Sequence, residues 1–406
     1  MKQIVDVVIV GGGIAGASMA TSLARDGRSV IVLEATVQFE DRVRGETMMP
    51  WGVREAHRLG VATVLEQAGA HSVPLWKRYS EGDPVARDVP VGLLIPGVAG
   101  SLNLHHPVAC QALLDAACAA GVEVVRGVSE VRVRPGSPPC VTYRCGNDWS
   151  EVAPAVVVGA DGRASAVRRD SGIELHRQAE AGFIAGLLLD QVDLPGEHDM
   201  LAEDELGLFL LFHQGGGRAR AYHVVAPAHR HRSAGESGTK RFLADIAAIP
   251  IPEAQAVAAG RAIGPCRSIA GTDTWIEAPF VDGVVLIGDA AGHNDPTAGC
   301  GLSIAMRDAR IVKQLLEEGA QRAQDFVPYG VERMERMRRL RLIADLINVG
   351  SVEPGPERRM RRARFRQALD AMEAPIFPLI LAMFAGPETL DGCCIDDRAI
   401  DVLRAA

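Results

Sequence analysis

The first 35 residues constrain the fold more than any other stretch of the chain. Val5 to Val10 is an unbroken apolar run rich in Val and Ile, the pattern of a strand buried on both faces. Gly11-Gly12-Gly13-Ile14-Ala15-Gly16 follows, and a helical pattern runs from Ala15 to Arg25 until Gly27 ends it. Ser29 to Leu33 reads as a second strand, which Glu34 closes. Strand, G-x-G-x-x-G, helix, strand and acid, in that order, describe a dinucleotide-binding unit. Gly11 permits the tight turn, and Gly16 lets the helix lie close on the strand. Gly13 lets backbone N–H groups, those of Ile14 and Ala15 among them, approach a pyrophosphate at the positive helix end. Glu34, 18 residues past Gly16, can accept from ribose hydroxyls. The motif alone does not separate FAD from NAD.

Two later segments make that separation. Ala155 to Gly159 is a strand running into Ala160-Asp161-Gly162-Arg163, with Arg168 just beyond. Gly283 to Ile287 is another strand, and Gly288-Asp289 at its end presents an acid that can bind a ribityl hydroxyl. After Pro296-Thr297-Ala298-Gly299-Cys300-Gly301-Leu302 a helical pattern continues through Arg310. A glycine-rich helix start there can set N–H groups against an anionic flavin edge.

The three motifs together resemble the single-component FAD-dependent monooxygenases of the p-hydroxybenzoate hydroxylase type, over about residues 3 to 320. The resemblance implies that Gly11, Gly13, Gly16 and Glu34 bind the ADP part of FAD, and that Asp161 and Gly162 serve FAD and NAD(P)H together. It implies Gly288 and Asp289 at the ribityl chain or pyrophosphate, with Pro296, Gly299, Cys300, Gly301 and Leu302 lining the isoalloxazine. Arg42-Val43-Arg44-Gly45-Glu46 matches the family's arginine segment, where Arg42 or Arg44 would pair with the pyrophosphate; alignment favours Arg44. His106 stands where the family has Arg or Gln touching the cofactor, a departure from the pattern. The implied chemistry is reduction of FAD by NADH or NADPH, formation of a flavin C4a-hydroperoxide with O2, and transfer of one oxygen to a substrate over the ring.

The expected fold is α/β. A Rossmann-like FAD-binding domain is made of residues 1–74, 101–175 and 266–324. An inserted mixed β-sheet substrate domain takes 75–100 and 176–265, and a helical region takes 325–406. In the substrate domain Phe183–Leu189, Leu206–His213 and Arg220–Val225 read as strands, with Gly215-Gly216-Gly217 as a turn and Leu75–Ile95 as a source of more. Alternation groups His213 with Phe209 and Leu211 on one face and Gln214 on the other, leaving open which face sees a pocket. His213 and Tyr222 are the candidates for substrate hydrogen bonding, and Phe183, Phe209 and Phe212 for apolar walls or core. His293, just before Pro296, is a third catalytic candidate: it either affects protonation at the flavin or hydrogen-bonds the loop.

Arg44 to Pro50 also resembles flavin-dependent halogenases. Their W-x-W-x-I signature is missing, since Trp51, Trp76, Trp149 and Trp275 are far apart, and Lys77 near the relay lysine's place reads better as a surface lysine. A reductase or dehydrogenase on the same fold is the other alternative.

Composition narrows the setting. Forty-three Lys+Arg against 51 Asp+Glu give a net charge of −8, which offers nucleic acid no general attraction. No apolar run reaches spanning length, and Met1-Lys2 leads into the strand pattern without signal-peptide order, so no integral membrane contact is expected. Eight scattered cysteines without metal spacing read as reduced thiols, so a cytoplasmic protein without a bound metal is expected. Its partners would be O2, an apolar or aromatic small molecule, and a reductase if the nucleotide does not act directly. In the tail, Asp325–Val349 and Glu357–Met372 read as helices and Pro375–Phe384 as a short apolar segment. Met334, Met337, Leu340, Ile343, Ala344 and Ile347 form the first helix's apolar face, and the eleven arginines from 333 to 366 read as a solvated face laced with ion pairs.

Overall fold

Val7–Val10 pairs in parallel with Val30–Glu34 on one side and Val156–Gly159 on the other. The computed structural model describes residues 5–42, 45–194, 196–390 and 397–405. Glu123–Arg126 extends this sheet in parallel beyond Val30–Glu34, and Val284–Leu286 extends it beyond Val156–Gly159. Phe280–Val281 closes the edge antiparallel. The apolar runs around residues 7, 156 and 284 are central strands and are fully buried, as continuous rather than alternating apolar sequence requires. Their adjacency has a functional consequence. The glycine fingerprint, Asp161 and Asp289 all follow the carboxyl ends of neighbouring parallel strands, where open α/β sheets bind their ligands.

Helices Ile14–Arg25, His106–Ala119 and Gly301–Glu317 belong to the core on one face of this sheet. The other face is covered by an antiparallel meander, Val128–Arg134, Cys140–Cys145 and Asp148–Val152, through Val128, Val133, Val141 and Tyr143. Sequence reading assigned no structure there.

The second lobe is a seven-stranded sheet in the order Arg261–Gly271, Gly182–Asp190, Ala219–Val225, Gly207–His213, Asp199–Glu203, Trp76–Tyr79, Arg87–Val89. All neighbours are antiparallel except Asp199–Glu203 with Trp76–Tyr79, so the sheet is mixed. Its outer face packs Leu187, Phe209, Leu211 and Ala221 against Phe242, Ile246 and Val257 of helices Gly238–Ala247 and Ala254–Ala259. Its inner face sends Ile184, Leu208, Leu210, Phe212, Tyr222 and Val224 into the core of the first lobe.

The tail is not a separate appendage. Helix Val327–Ile347 runs into a π turn, Asn348–Val352, and helices Arg358–Asp370 and Ile376–Ala385 follow. The solvated-face reading of its arginines is corrected for four of them: Arg333, Arg336, Arg361 and Arg362 are buried, bonded to carbonyls and carboxylates. Met334 faces solvent rather than core, while Met337, Leu340, Ile343, Ala344 and Ile347 are buried. Helix Ile376–Ala385 wedges between the lobes. Trp51 Nε1 donates to the Met383 carbonyl at 3.1 Å, and Phe384 meets Trp76 edge-on at 5.0 Å between centroids. Among the described residues no helix is long and apolar enough to cross a membrane.

Candidate active site

Three turns converge at the carboxyl ends of the central strands. Gly11 has φ +106, and a Cβ there would be driven into the Ala160 carbonyl; one at Gly16 would strike the Gly11 carbonyl. Both are packing glycines, one holding the first turn against the second and the other holding helix on turn. Gly13 differs, because a Cβ there would meet nothing within 4 Å. Gly301, at the start of the other helix, is equally open. Neither helix start carries a side-chain cap, so the N–H groups of Ile14 and Ala15, like those after Cys300, point their positive helix ends at open space. A Cβ at Gly288 would lie 3.3 Å from that of Ala15, so the turn bearing Asp289 sits over the first helix start.

This arrangement fits FAD. Glycines open a cradle, two uncapped helix ends face it, and Asp161 Oδ1 and Thr297 Oγ1 beside it are buried without a hydrogen-bond partner among the described residues. Glu34 is buried; its Oε2 accepts from the Gly12 N–H at 2.6 Å and its Oε1 from the Thr36 N–H at 2.7 Å. Each oxygen keeps a second lone pair for a ribose hydroxyl.

The second and third motifs are tied together by arginines. Asp161 Oδ2 accepts from the N–H groups of Ala166 and Val167, fixing the short helix Ala166–Asp170. Arg168 on that helix donates to the carbonyls of Ala290 at 2.8 Å and Arg163 at 3.0 Å. Arg163 in turn pairs with Asp289 at 3.2 Å. Sequence reading noted Arg168 but gave it no role.

At the Pro296–Cys300 turn, which the resemblance sets at the flavin edge, Asp295 Oδ1 accepts from the Thr297 N–H, and Gly299 has φ +65. Cys300 is buried, its thiol pushed up to about 12 by burial and donating to the Ala298 carbonyl at 3.3 Å, so it is no nucleophile. Gly45 lies against Leu302, and its carbonyl is 3.3 Å from His106 Nδ1. Arg42 is solvent-exposed beside Glu40, while Arg44 lies outside the described residues.

The structure separates the two substrate candidates. Tyr222 is on the inner face, buried against Phe212 with centroids 5.7 Å apart, and burial raises its hydroxyl well above the usual range. His213 is on the outer face with Phe209 and Leu211, 6.2 Å from the His198 ring and pulled down to about 4, chiefly by burial. Phe212 faces inward and Phe209 outward, and Phe183 is only partly buried. His293 is also pulled down to about 4 by burial and nearby arginines, with Nδ1 2.8 Å from Thr274 Oγ1; the same hydroxyl oxygen accepts from its N–H. Lys77 lies on the outer face with Tyr79, 3.6 Å from Glu253.

One group escaped sequence reading. Arg220, on the inner face, reaches the first lobe, donating to Glu46 at 2.6 Å and Asp41 at 2.6 Å. Gln214 donates to the same Glu46 at 2.8 Å. Burial pushes the Glu46 carboxyl up, and Arg220 pulls against it. Asp41, Glu46 and His105 also bring ligand-type atoms within 4.8 Å of one another, but Arg220 is already paired with both carboxylates.

A family model described as FAD binding domain matches residues 4–340. Squalene monooxygenase SE1 of Panax ginseng is 27% identical over 320 residues, covering 77% of this chain and 58% of that protein. Squalene epoxidase erg1 of Aspergillus fumigatus is 27% identical over 320 residues, covering 77% and 66%. The chain thus spans roughly three fifths of the length of these curated relatives. The crystal structure of p-nitrophenol 4-monooxygenase PnpA from Pseudomonas putida DLL-E4 superposes with a TM-score of 0.80 at 20% identity, covering 95% of this chain and 99% of that one. The flavin-dependent brominase Bmp2 gives 0.75 at 19%, covering 99% and 98%. At such identities the structural likeness shows the fold alone.

Proposed function

This chain belongs to the FAD binding domain family, and on that premise we propose that it is an FAD-dependent monooxygenase that uses NAD(P)H and O2 to hydroxylate or epoxidise a mostly apolar small molecule. The observation that carries this reading is the inner face of the seven-stranded sheet. Its residues Leu208, Leu210, Phe212 and Tyr222 share one apolar core with Ala298, Cys300 and Leu302 of the flavin-edge turn. A molecule held between them is stripped of water beside the cofactor. The squalene chemistry in the curated relatives' names supports an apolar substrate.

When bound, FAD supplies the electron storage and the oxygen chemistry. The chain's residues hold it, orient it and keep water out. Gly11, Gly13 and Gly16 shape the cradle, and the N–H groups of Ile14 and Ala15 hold the pyrophosphate with Arg44 or Arg42. Glu34 takes the ribose, and Asp289, on the Gly288 turn, takes the ribityl chain or pyrophosphate. Asp161, Gly162, Gly45 and His106 flank the cofactor, and Pro296, Gly299, Cys300, Gly301 and Leu302 line its ring through backbone and small side chains. Tyr222 is the residue assigned to substrate hydrogen bonding, since it is a protonated hydroxyl on the inner face. His293 holds the flavin-edge loop to Thr274. The scattered spacing of the cysteines in the sequence is what supports a reducing, cytoplasmic setting.

The test is anaerobic mixing of the FAD-loaded protein with NADH and with NADPH, followed by isotopically labelled O2 and apolar ligands. Flavin reduction and ligand-dependent entry of one labelled oxygen into product are expected. A flavin that accepts electrons from an organic substrate and transfers no oxygen would make the chain a dehydrogenase. Oxygen transfer only with an added reductase would keep the monooxygenase and assign it a partner.

A further inference from the structure

Helix Val327–Ile347 runs behind the turn that presents Asp289 and grips it through side chains the cofactor motifs do not include. Tyr329 donates to the Leu286 carbonyl at 2.8 Å, at the end of the strand. Arg333 donates from Nη1 to the Ala291 carbonyl at 2.7 Å, and from Nη2 to the carbonyls of Gly288 at 3.2 Å and Gly292 at 2.8 Å. Its Nε donates to Asp308 Oδ2 at 3.0 Å, and the Gly288 N–H donates to that same oxygen at 2.8 Å. Asp308 lies on helix Gly301–Glu317, so one carboxylate oxygen joins the turn to two helices. Arg336 completes the charge balance, donating to Asp308 Oδ1 at 2.7 Å and to Glu332 at 2.9 Å, and no bond runs from it to the turn among the described residues.

The turn needs such a support. Gly288 at φ +58 and Gly292 at φ +98 bend it through left-handed backbone, and three of its five carbonyls point at a single guanidinium. With those carbonyls drawn to Arg333, the Asp289 side chain is left 30% exposed on the other side, facing Arg163. A planar fork can serve three carbonyls and a carboxylate at once, which a lysine's point charge cannot.

We infer that Arg333, oriented by Asp308, is a positioning residue that sets the Asp289 turn to receive FAD. The inference rests on Asp289 being a cofactor-binding residue. It is tested on FAD-loaded R333K, R336K and D289A by the rate of FAD release on dilution and the visible circular dichroism of the bound flavin. R333K and D289A are expected to release FAD about tenfold faster or more, with R333K also shifting the dichroism band, while R336K stays within about twofold of wild type. Wild-type release from R333K alongside fast release from D289A overturns the clamp and leaves the cofactor reading standing. Wild-type release from D289A overturns both. Equal loosening in R333K and R336K assigns the effect to buried charge and also overturns the clamp. Should R333K not fold, D308N decides by the same measurement, with release about tenfold faster supporting the clamp and unchanged release overturning it.

Discussion

Gly11 and Gly13 stand two residues apart in one motif and answer to different demands. Alanine at Gly11 would collide with the Ala160 carbonyl at a φ of +106, whereas alanine at Gly13, with φ −73, would project into open space. Gly11→Ala should therefore cost about 2–3 kcal/mol of stability without FAD present. Gly13→Ala should leave that stability within about 0.5 kcal/mol and weaken FAD binding about tenfold or more. Urea unfolding and FAD titration of the two variants check the contrast. Buried acids give a second residue-scale expectation. Burial raises Asp199 from 3.8 to about 8, so the folded state keeps a proton that the unfolded chain has lost. Its stabilising contribution is complete below about pH 4 and is lost as pH rises towards about 8. His213 and His293, lowered from 6.5 to about 4, act oppositely: their contribution is complete above 6.5 and falls away below it. Between pH 6.5 and 8.5 the acid should dominate, so Asp199→Asn should flatten the decline in urea midpoint over that range.

Among the elements, the inner face of Ala219–Val225 joins the two lobes. Arg220 and Glu46 are both buried and belong to different lobes. Replacing Arg220 with Met strands a buried carboxylate and should cost about 3–5 kcal/mol. Adding Glu46→Gln should recover part of that loss, and a double-mutant cycle in urea would measure the coupling. The elements also show what a sequence makes legible. The central strands declared themselves because burial on both faces removes polar residues altogether. The meander was missed although Val131, Val133, Val141 and Tyr143 alternate, because short exposed strands carry many charges between them. Arg333 was missed for a subtler reason. It lies four residues before Met337 and seven before Leu340, on the apolar face of its own helix, yet arginine is ordinarily read as solvent-facing. Burial of a charge depends on partners, here Asp308, that only the tertiary fold supplies. The same holds for His213: alternation grouped it correctly with Phe209 and Leu211 but could not say which face meets the first lobe, and Tyr222 was given no face at all.

At the scale of the whole molecule, helix Val327–Ile347 and its π turn touch three separate parts. Arg333 holds the Asp289 turn, Asn348 Nδ2 donates to Asp295 at 3.4 Å beneath the flavin-edge turn, and Ser351 Oγ donates to Glu203 of the second sheet at 2.8 Å. The strand order carries a consequence for how the protein comes into being. Val7–Val10 emerges first, but its neighbour on one side begins at residue 156, and that strand's own neighbour begins at 284. During synthesis the fingerprint strand can pair only with Val30–Glu34 until residues 156–160 have been made, because distant pairings must wait for their loops. Arg333 arrives later still. A nascent chain therefore carries its apolar first strand open on one edge until residue 156 is made, and a cradle that includes the Asp289 turn is complete only after that later segment has followed.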